Sequence, residues 1–504
     1  MVDSTPDRIA DNPGALSRRL ILQSALATGI VAGLAALTAV KGRTQTQAGA
    51  PRSALALARI LNRTQFSDLP PTAIKHAKII LASTLASAAS GSSIGSAGIV
   101  RALAKEQGGK PEATIWFDGA KLPVNEAARV NSMLSDAAAS DDSDLRNVAH
   151  IGTCLTSTGL ALAERTGATG QDVLCAMVTG YEAAGRISEA VGRAGEAVSG
   201  NLVQGFHASI IVAFGGVVTA AKLLRLTDEQ MSHAIGMTAT TMGGLSIGTN
   251  SWAREYHAGN AALCAVNAAL AASRGYTVNE DMLEAAGGFL SVFSGRSPDT
   301  SSMSRELTNQ WEINRYLAIK LVPGAHALQP AVEAAVAAAR QSGVPPEEVA
   351  RILVSGPQIR VRAGTKAPKD MIEAIHSLPY FVASAVADKD FSWVHATPEK
   401  IHRPVIAQLI GLVETDPSPK PVHYDWTWGA TVTIVTKSGA RFTNTVDAPK
   451  GSAPRTIEWS DVDAKYRALM PESHLPAKRI EEVLKLVHDF DQVQKVSQLT
   501  ALLS

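Results

Sequence analysis

From Ser53 to about Ala272 the chain returns to apolar residues every three or four positions, in stretches such as "SALALARILNRT" and "PPTAIKHAKIILASTLASAAS". That spacing is the period of an α-helix. In many of these stretches Ala and Gly fall on several faces at once, leaving no broad polar side to turn to water. Such helices bury themselves against other helices, with close backbone approach. "STGLALAERTG" ends on Gly167, a helix-terminating position, before "QDVLCAMVTGYEAAGRISEAVG" begins another helix. Thr227 followed by Gln230 in "TDEQMSHAIGMTATT" has the spacing of a capping box. Hydrophobic residues make up 46% and charged residues 18%, enough to build a large core.

The pattern changes after Gly295. "VARILVSG" (349–356) reads as a strand after the helix start at "PPEE". "ATVTIVTKSGARFTNTV" (430–446) alternates, breaks at Ser438-Gly439 and alternates again, as a β-hairpin does. "WSDVDAKYRALM" and "PAKRIEEVLKLVHDF" return to helix. The expected fold is therefore mainly α. A large all-helical domain covers 51–315, a smaller α+β domain 316–455, and helices over 456–504 return to the first.

The first fifty residues are of another kind. "SRRLILQ" places Arg18 and Arg19 directly before an apolar run from Leu20 to Val40, and "AGA" at 48–50 offers small residues for cleavage. This predicts a twin-arginine export signal over 1–50 and a periplasmic or otherwise extracytoplasmic protein. A retained membrane anchor is the alternative, since about twenty apolar residues span a bilayer. No later run reaches that length, so no membrane partner is expected for the mature chain. With 47 basic against 46 acidic residues and no basic run, nucleic acid is not an expected partner. Cys154, Cys175 and Cys264 are scattered, which argues against disulfides and a thiolate metal site.

Chemistry concentrates in a few places. "SDDSDLRNVAHIGT" (140–153) sets Asp141, Asp142, Asp144 and His150 on one expected loop. "GFHASIIVAFGG" has His207 just before a helix, and Arg254, Glu255 and His257 precede the long apolar helix of "SWAREYHAGNAALCAVNAALAASRGY". "IKLVPGAHALQP" carries Lys320 and His326, and "EAIHSLPYFVASAV" carries His376 and Tyr380. No HExxH is present, and the aspartates lack the Gly and terminal Glu of a calcium loop. Singly, each histidine has a plain reading as a helix-end or core residue, and the aspartates as an N-cap and turn. Together they place imidazoles and cations beside small residues at helix starts, where N–H dipoles favour anions. A substrate with several carboxylates suits them.

In these same stretches the chain resembles the MmgE/PrpD family, which includes 2-methylcitrate dehydratase, cis-aconitate decarboxylase and iminodisuccinate epimerase. The likeness rests on "GFHASIIVAFGGVVTAAKLLRLTDEQMSHAIGMTATTMGGL", "YHAGNAA", "GGFLSVFSG", "KLVP" and "HSLPY", and runs from about residue 53 to the C-terminal tail. It implies a helical domain with an α+β lid, an active site between them, a homodimer, and no metal or organic cofactor. It also implies site roles for His150, His207, Lys320, Tyr380 and His257, the first four catalytic. Asp142 is read as catalytic as well, with Asp141 or Asp142 expected to orient His150 or to help hold the product water. Asp141, Arg254, His257, His326 and His376 are expected to bind substrate. Arg254 stands where many members have Lys; it can hold a carboxylate but cannot act as a base. Ala139 stands where an acid is common, and Ile151 and Ala208 replace prolines.

These readings lead to a cofactor-independent lyase that removes a proton next to a carboxylate and dehydrates a small hydroxy di- or tricarboxylate. His150 is the acid/base, His207 and Tyr380 assist proton delivery, and Lys320 and Arg254 hold carboxylates. A decarboxylase or epimerase on the same scaffold is the alternative within enzymes. An exported, non-catalytic polycarboxylate-binding protein is the alternative outside them.

Overall fold

Thr227 and Gln230 do form a reciprocal capping box, and Gly167 ends its helix in the left-handed conformation. Local signals of this kind divide the first half of the chain into helices. In the computed structural model the described residues are 52–192, 206–294, 299–357, 359, 367–424, 426 and 428–504; the export signal read over 1–50 lies outside them. The first helices are α1 (Ser53–Arg63), α2 (Pro71–Gly91), α3 (Gly95–Gln107), α4 (Val124–Ala137) and α5 (Ile151–Thr166). They are followed by α6 (Gly170–Val191), α7 (Ser209–Leu223), α8 (Asp228–Thr241) and α9 (Ala253–Ala272). Arg254, Glu255 and His257 thus lie inside the first turns of α9, not before it.

Almost every residue of α7 is buried, as expected for a helix with no polar face. It packs against α5, α6, α8 and α9, while α4 lies between α2, α5 and α9. Contact between α6 and α7 is close enough to require glycine. A Cβ added at Gly180 would fall 2.6 Å from the main-chain oxygen of Gly215. Among the described residues no single helix is long and apolar enough to cross a membrane.

The chain is mainly α, with a smaller α+β part. Two short strands, β1 (Ala113–Thr114) and β2 (Lys121–Leu122), pair near α5, and β3 (Asp142–Asp144) pairs antiparallel with β4 (Leu317–Ile319). The acidic stretch read as a loop therefore contains a buried strand. Beyond β4 lie β5 (Val349–Ser355), β6 (Val413–Thr415), β7 (Ala430–Thr436) and β8 (Arg441–Val446), in the sheet order β6-β5-β7-β8. The predicted hairpin is β7–β8, turning at Gly439 with φ +86°. Ala430, Val432 and Ile434 face inward. The Thr431–Thr445 and Thr433–Thr443 hydroxyl pairs hydrogen bond across the outer face at 2.7 and 2.8 Å.

Helix α10 (Gln329–Ser342) covers β7 and β8, and α11 (Leu378–Asp388) packs on α10 and on α12 (Pro404–Ile410). These elements enclose their own hydrophobic core, separate from that of the helical layer. The C-terminal α13 (Trp459–Leu469) and α14 (Ala477–His488) return to α2. The chain leaves and re-enters the helical layer at one place. β4 is paired to β3 on one side, and on the other Ile319 N–H donates to the carbonyl of Gly451 at 2.8 Å.

Candidate active site

That crossing builds the site. In the β3–β4 ladder Asp142 stands opposite Ile319, so one step further Asp141 faces Lys320. The Lys320 N–H donates to the Asp141 carbonyl at 3.1 Å, extending the ladder by one rung. Both side chains then point the same way, as cross-strand neighbours do, and Lys320 Nζ reaches Asp141 Oδ1 at 2.7 Å. Both are buried. His150, the N-cap residue of α5, completes the group. Its Nδ1 is 2.6 Å from Asp141 Oδ2, 2.8 Å from the Asp142 carbonyl and 3.2 Å from Lys320 Nζ. Burial alone would raise the Asp141 pKa, but His150 and Lys320 hold it well below the usual carboxylate range.

These contacts select a tautomer. A carbonyl and a carboxylate beside Nδ1 want a proton there, which leaves the Nε2 lone pair of His150 free. His207 is set the opposite way. The main-chain N–H of Ser209, in the first turn of α7, donates to His207 Nδ1 at 3.1 Å, so the proton sits on Nε2. Burial first, and the charges of His150, His257 and Arg254 besides, push the His207 pKa down to about 4. The two rings are thus set with opposite tautomers, and both line one small cavity with Thr153, Ser209 and Arg254.

Asp136, in the last turn of α4, lines the same cavity and is 1% exposed. Sequence reasoning missed it. A signal existed: an acid in the last turn of a helix opposes the macrodipole, so a buried one there needs another reason. Ala139, at the position where the family resemblance implies an acid, has φ +48° and carries no charge to the site. Arg254 is turned to structure. Its guanidinium donates to the carbonyls of Asp136 and Ala137 at 2.8 and 2.9 Å, capping α4, and its Nε lies 3.6 Å from Asp136 Oδ2. Donor atoms of Asp136, Asp141 and His150 fall within 4.8 Å of one another, a spacing a cation could use. Lys320 already brings a positive charge against two of the three.

The other sequence-predicted residues are distributed as follows. Asp142 meets the histidine ring through its main-chain carbonyl, and its carboxylate is turned to α5. Both its carboxylate oxygens accept the Gly152 N–H at 3.0 Å, capping α5, and a Cβ at Gly152 would lie 2.6 Å from Asp142 Oδ1. Burial and the charge of Asp141 push the Asp142 pKa up. The pairing expected of Asp141 or Asp142 with His150 thus falls to the Asp141 side chain. His257 lies 5.4 Å from His207, ring to ring. His376 has its pKa pushed down to about 4 by burial first and then by the charge of Arg254. Its Nδ1 is 3.0 Å from the carbonyl of Ile372. His326 is buried in a neighbouring cavity with Ser143, Asp144 and Trp428, and neither ring nitrogen has a hydrogen-bond partner. Tyr380 is not brought to the group. Its hydroxyl donates to the carbonyl of His395 at 2.7 Å within the lid core, because it sits on the inward face of α11.

Lys465 also escaped the sequence reading, although it shares the apolar stripe of α13 with Val462, Tyr466 and Leu469. It is buried and donates to Ser83 Oγ at 2.6 Å and to the Ser140 carbonyl, tying α2 and α13 to the start of the acidic stretch. Burial pushes its pKa down to about 7. Between about 7 and 10.5 the unfolded chain holds a proton that the folded chain has released, so stability rises with pH over that window. Lys465→Met should remove a rise on the order of 5 kcal/mol. Guanidinium unfolding of both proteins at several pH values across the window checks this, and parallel curves would contradict it.

Residues 55–301 match the MmgE/PrpD N-terminal domain and residues 323–490 the MmgE/PrpD C-terminal domain. The chain is 24% identical to the cis-aconitate decarboxylase of Homo sapiens over 403 residues, covering 78% of this chain and 82% of the human protein. It is 25% identical to that of Mus musculus over 406 residues, covering 78% and 81%. A cis-aconitate decarboxylase of Aspergillus terreus is 30% identical over 193 residues, 36% of this chain and 38% of the fungal protein. Matches across both halves, on a chain whose helical layer and α+β part meet at the Asp141–His150–Lys320 group, place this protein in the MmgE/PrpD family.

Proposed function

We propose that this protein is a lyase that dehydrates a small hydroxy di- or tricarboxylate. The observation that supports this most is the pair of imidazoles with opposite tautomers beside a buried lysine. His150 Nε2 takes the proton from the carbon next to a carboxylate, and the C–H electron pair moves onto that carboxylate as an enolate-like dianion. Lys320 and the N-terminus of α5 lower the energy of this extra charge. The pair then returns to form C=C as the neighbouring hydroxyl leaves. His150, now protonated, gives that proton to the departing oxygen, which leaves as water, and the imidazole is restored. His207, with its pKa near 4, is a poor proton source; its Nε2–H serves as a hydrogen-bond donor to the developing charge. This differs from the proton-delivery role first assigned to it.

Decarboxylation is the second reading, favoured by the similarity to cis-aconitate decarboxylases over most of the chain. There the pair on carbon comes from the broken C–C bond, and His150 delivers the proton. Proton NMR in D₂O with a panel of hydroxy and unsaturated di- and tricarboxylates separates the readings. Loss of water with a new vinyl signal is the expected result. Released CO₂ would replace it with the second reading, and deuterium at a stereocentre without water loss would indicate an epimerase. Binding without turnover would leave a binding protein.

The paired Arg18 and Arg19 before an apolar run support export through the twin-arginine route as part of the same proposal. Fractionation of cells expressing the chain with and without Arg18→Lys/Arg19→Lys tests it. Retention of only the double variant in the cytoplasm is expected; equal distribution would refute export by this route.

A further inference from the structure

Asp136 presents an unsolved problem in its surroundings. The side chain is 1% exposed, yet Oδ2 accepts no hydrogen bond. Its nearest cation, Arg254 Nε, is 3.6 Å away, beyond hydrogen-bond distance, since that guanidinium is drawn toward the carbonyls of Asp136 and Ala137. A buried carboxylate oxygen without a donor is costly, more so than a neutral acceptor, and native proteins rarely leave one. Asp136 lines the small cavity that His150, Thr153, His207 and Ser209 share, so a group held in that cavity can supply the donor.

Charge narrows what that donor can be. Asp141 is paired with Lys320, and Asp136 stands against Arg254, so each of these cations is already faced by an acid. A fully ionised unsaturated acid carries acceptors only. Against Asp136 it would bring oxygen to oxygen and leave Oδ2 unpaired. A hydroxyl or ammonium group on the carbon skeleton supplies the missing hydrogen.

We propose that Asp136 is a specificity-determining residue that accepts a hydrogen bond from a hydroxyl or amino substituent. The site then selects hydroxy- or amino-substituted polycarboxylates over their unsaturated counterparts. This rests on the polycarboxylate reading above and deepens it, setting the hydroxy acid ahead of cis-aconitate as the ligand. Sites built to hydrogen bond a substrate O–H or N–H reject the analogue lacking it strongly, by factors up to about 10⁴–10⁵ when nothing else compensates. One hydrogen bond to a charged acceptor corresponds to less, roughly tenfold to a hundredfold.

The test is isothermal titration of the full chain with pairs of acids that differ by one water, citrate against cis-aconitate and malate against fumarate, with aspartate as the amino counterpart. The expected result is a Kd at least about tenfold lower for the substituted member of a pair. Asp136→Asn keeps the shape but can donate to a carboxylate, so it should narrow that ratio to within about threefold, chiefly by tightening the unsaturated acid. Asp136→Ala should narrow it by weakening the substituted one. The wild-type ratio needs no variant, so a misfolded Asp136→Ala does not spoil the test. Equal wild-type affinities, or a ratio unchanged in Asp136→Asn, overturn the proposal. EDTA should leave the ratio as it is; its loss would assign Oδ2 to a divalent cation and overturn the proposal too. If the pairs bind equally while turnover still depends on His150, only this inference fails. If none of the acids binds, the polycarboxylate reading fails with it.

Discussion

Replacing His150 by Gln should lower kcat by about 10²–10⁴, the usual worth of one positioned acid/base group, with a much smaller change in KM. Glutamine fills similar space and can still donate to the Asp142 carbonyl that the ring now holds at 2.8 Å. It cannot accept a proton at the position of Nε2. The partition between kcat and KM therefore carries the test: a loss confined to KM would make His150 a binding residue, and unchanged turnover would remove it from the mechanism. Asp141→Asn should act through the same ring. Its oxygens lie 2.6 Å from His150 Nδ1 and 2.7 Å from Lys320 Nζ, so it holds the tautomer and the ammonium together. Combined with His150→Gln it should cost little more than His150→Gln alone, since residues that act as a unit are not additive. Full additivity in stopped assays would show that the two act separately.

Arg146→Met should destabilise the fold by about 3–5 kcal/mol, the cost of removing one partner from a buried ion pair. Arg146 has a side-chain exposure of 2% and is bound to both Asp144 and Glu312, which are fully buried. Its guanidinium lies 3.9 Å above the ring of Tyr316 and its Nη1 donates to the Gly185 carbonyl at 3.0 Å. Methionine takes the pairing cation from the buried Asp144 carboxylate and leaves Glu312 with Arg305 at 3.4 Å and Arg315 at 3.6 Å. Glu312→Leu added to Arg146→Met should recover part of the loss, because it removes a like charge near Asp144. Denaturant unfolding reads both, provided the m-values match. A loss below about 1 kcal/mol would show that water reaches this network in solution. Asp144 belongs to β3, so Arg146→Met should also loosen the ladder that carries Asp141 toward Lys320, and lower turnover before it unfolds the protein.

Much of this molecule was legible in one dimension. Three- and four-residue spacing of apolar residues, the Thr227–Gln230 box and the Gly167 stop depend on a few neighbouring positions, so helices were read close to where they occur. The β7–β8 hairpin was read for the same reason, from alternation around Ser438-Gly439. The chemistry of the cluster was legible as well, because His150, His207 and Lys320 stand out against small apolar neighbours.

Which groups meet was decided elsewhere. The choice of Asp141 over Asp142 as the partner of His150 follows from antiparallel register between strands nearly 180 residues apart, where a shift by one residue would turn the other aspartate inward. Tyr380 and Arg254 look reactive as residue types, yet their polar atoms are spent on the His395, Asp136 and Ala137 carbonyls. Asp136 and Lys465 look like ordinary helix charges until packing buries them beside the site. Residue type and short-range periodicity set the helices and supplied the acids, bases and cations. Register and burial, which exist only between distant segments, chose among them, because a side chain's proton, partner and dielectric surroundings belong to the folded arrangement and not to its place in the chain.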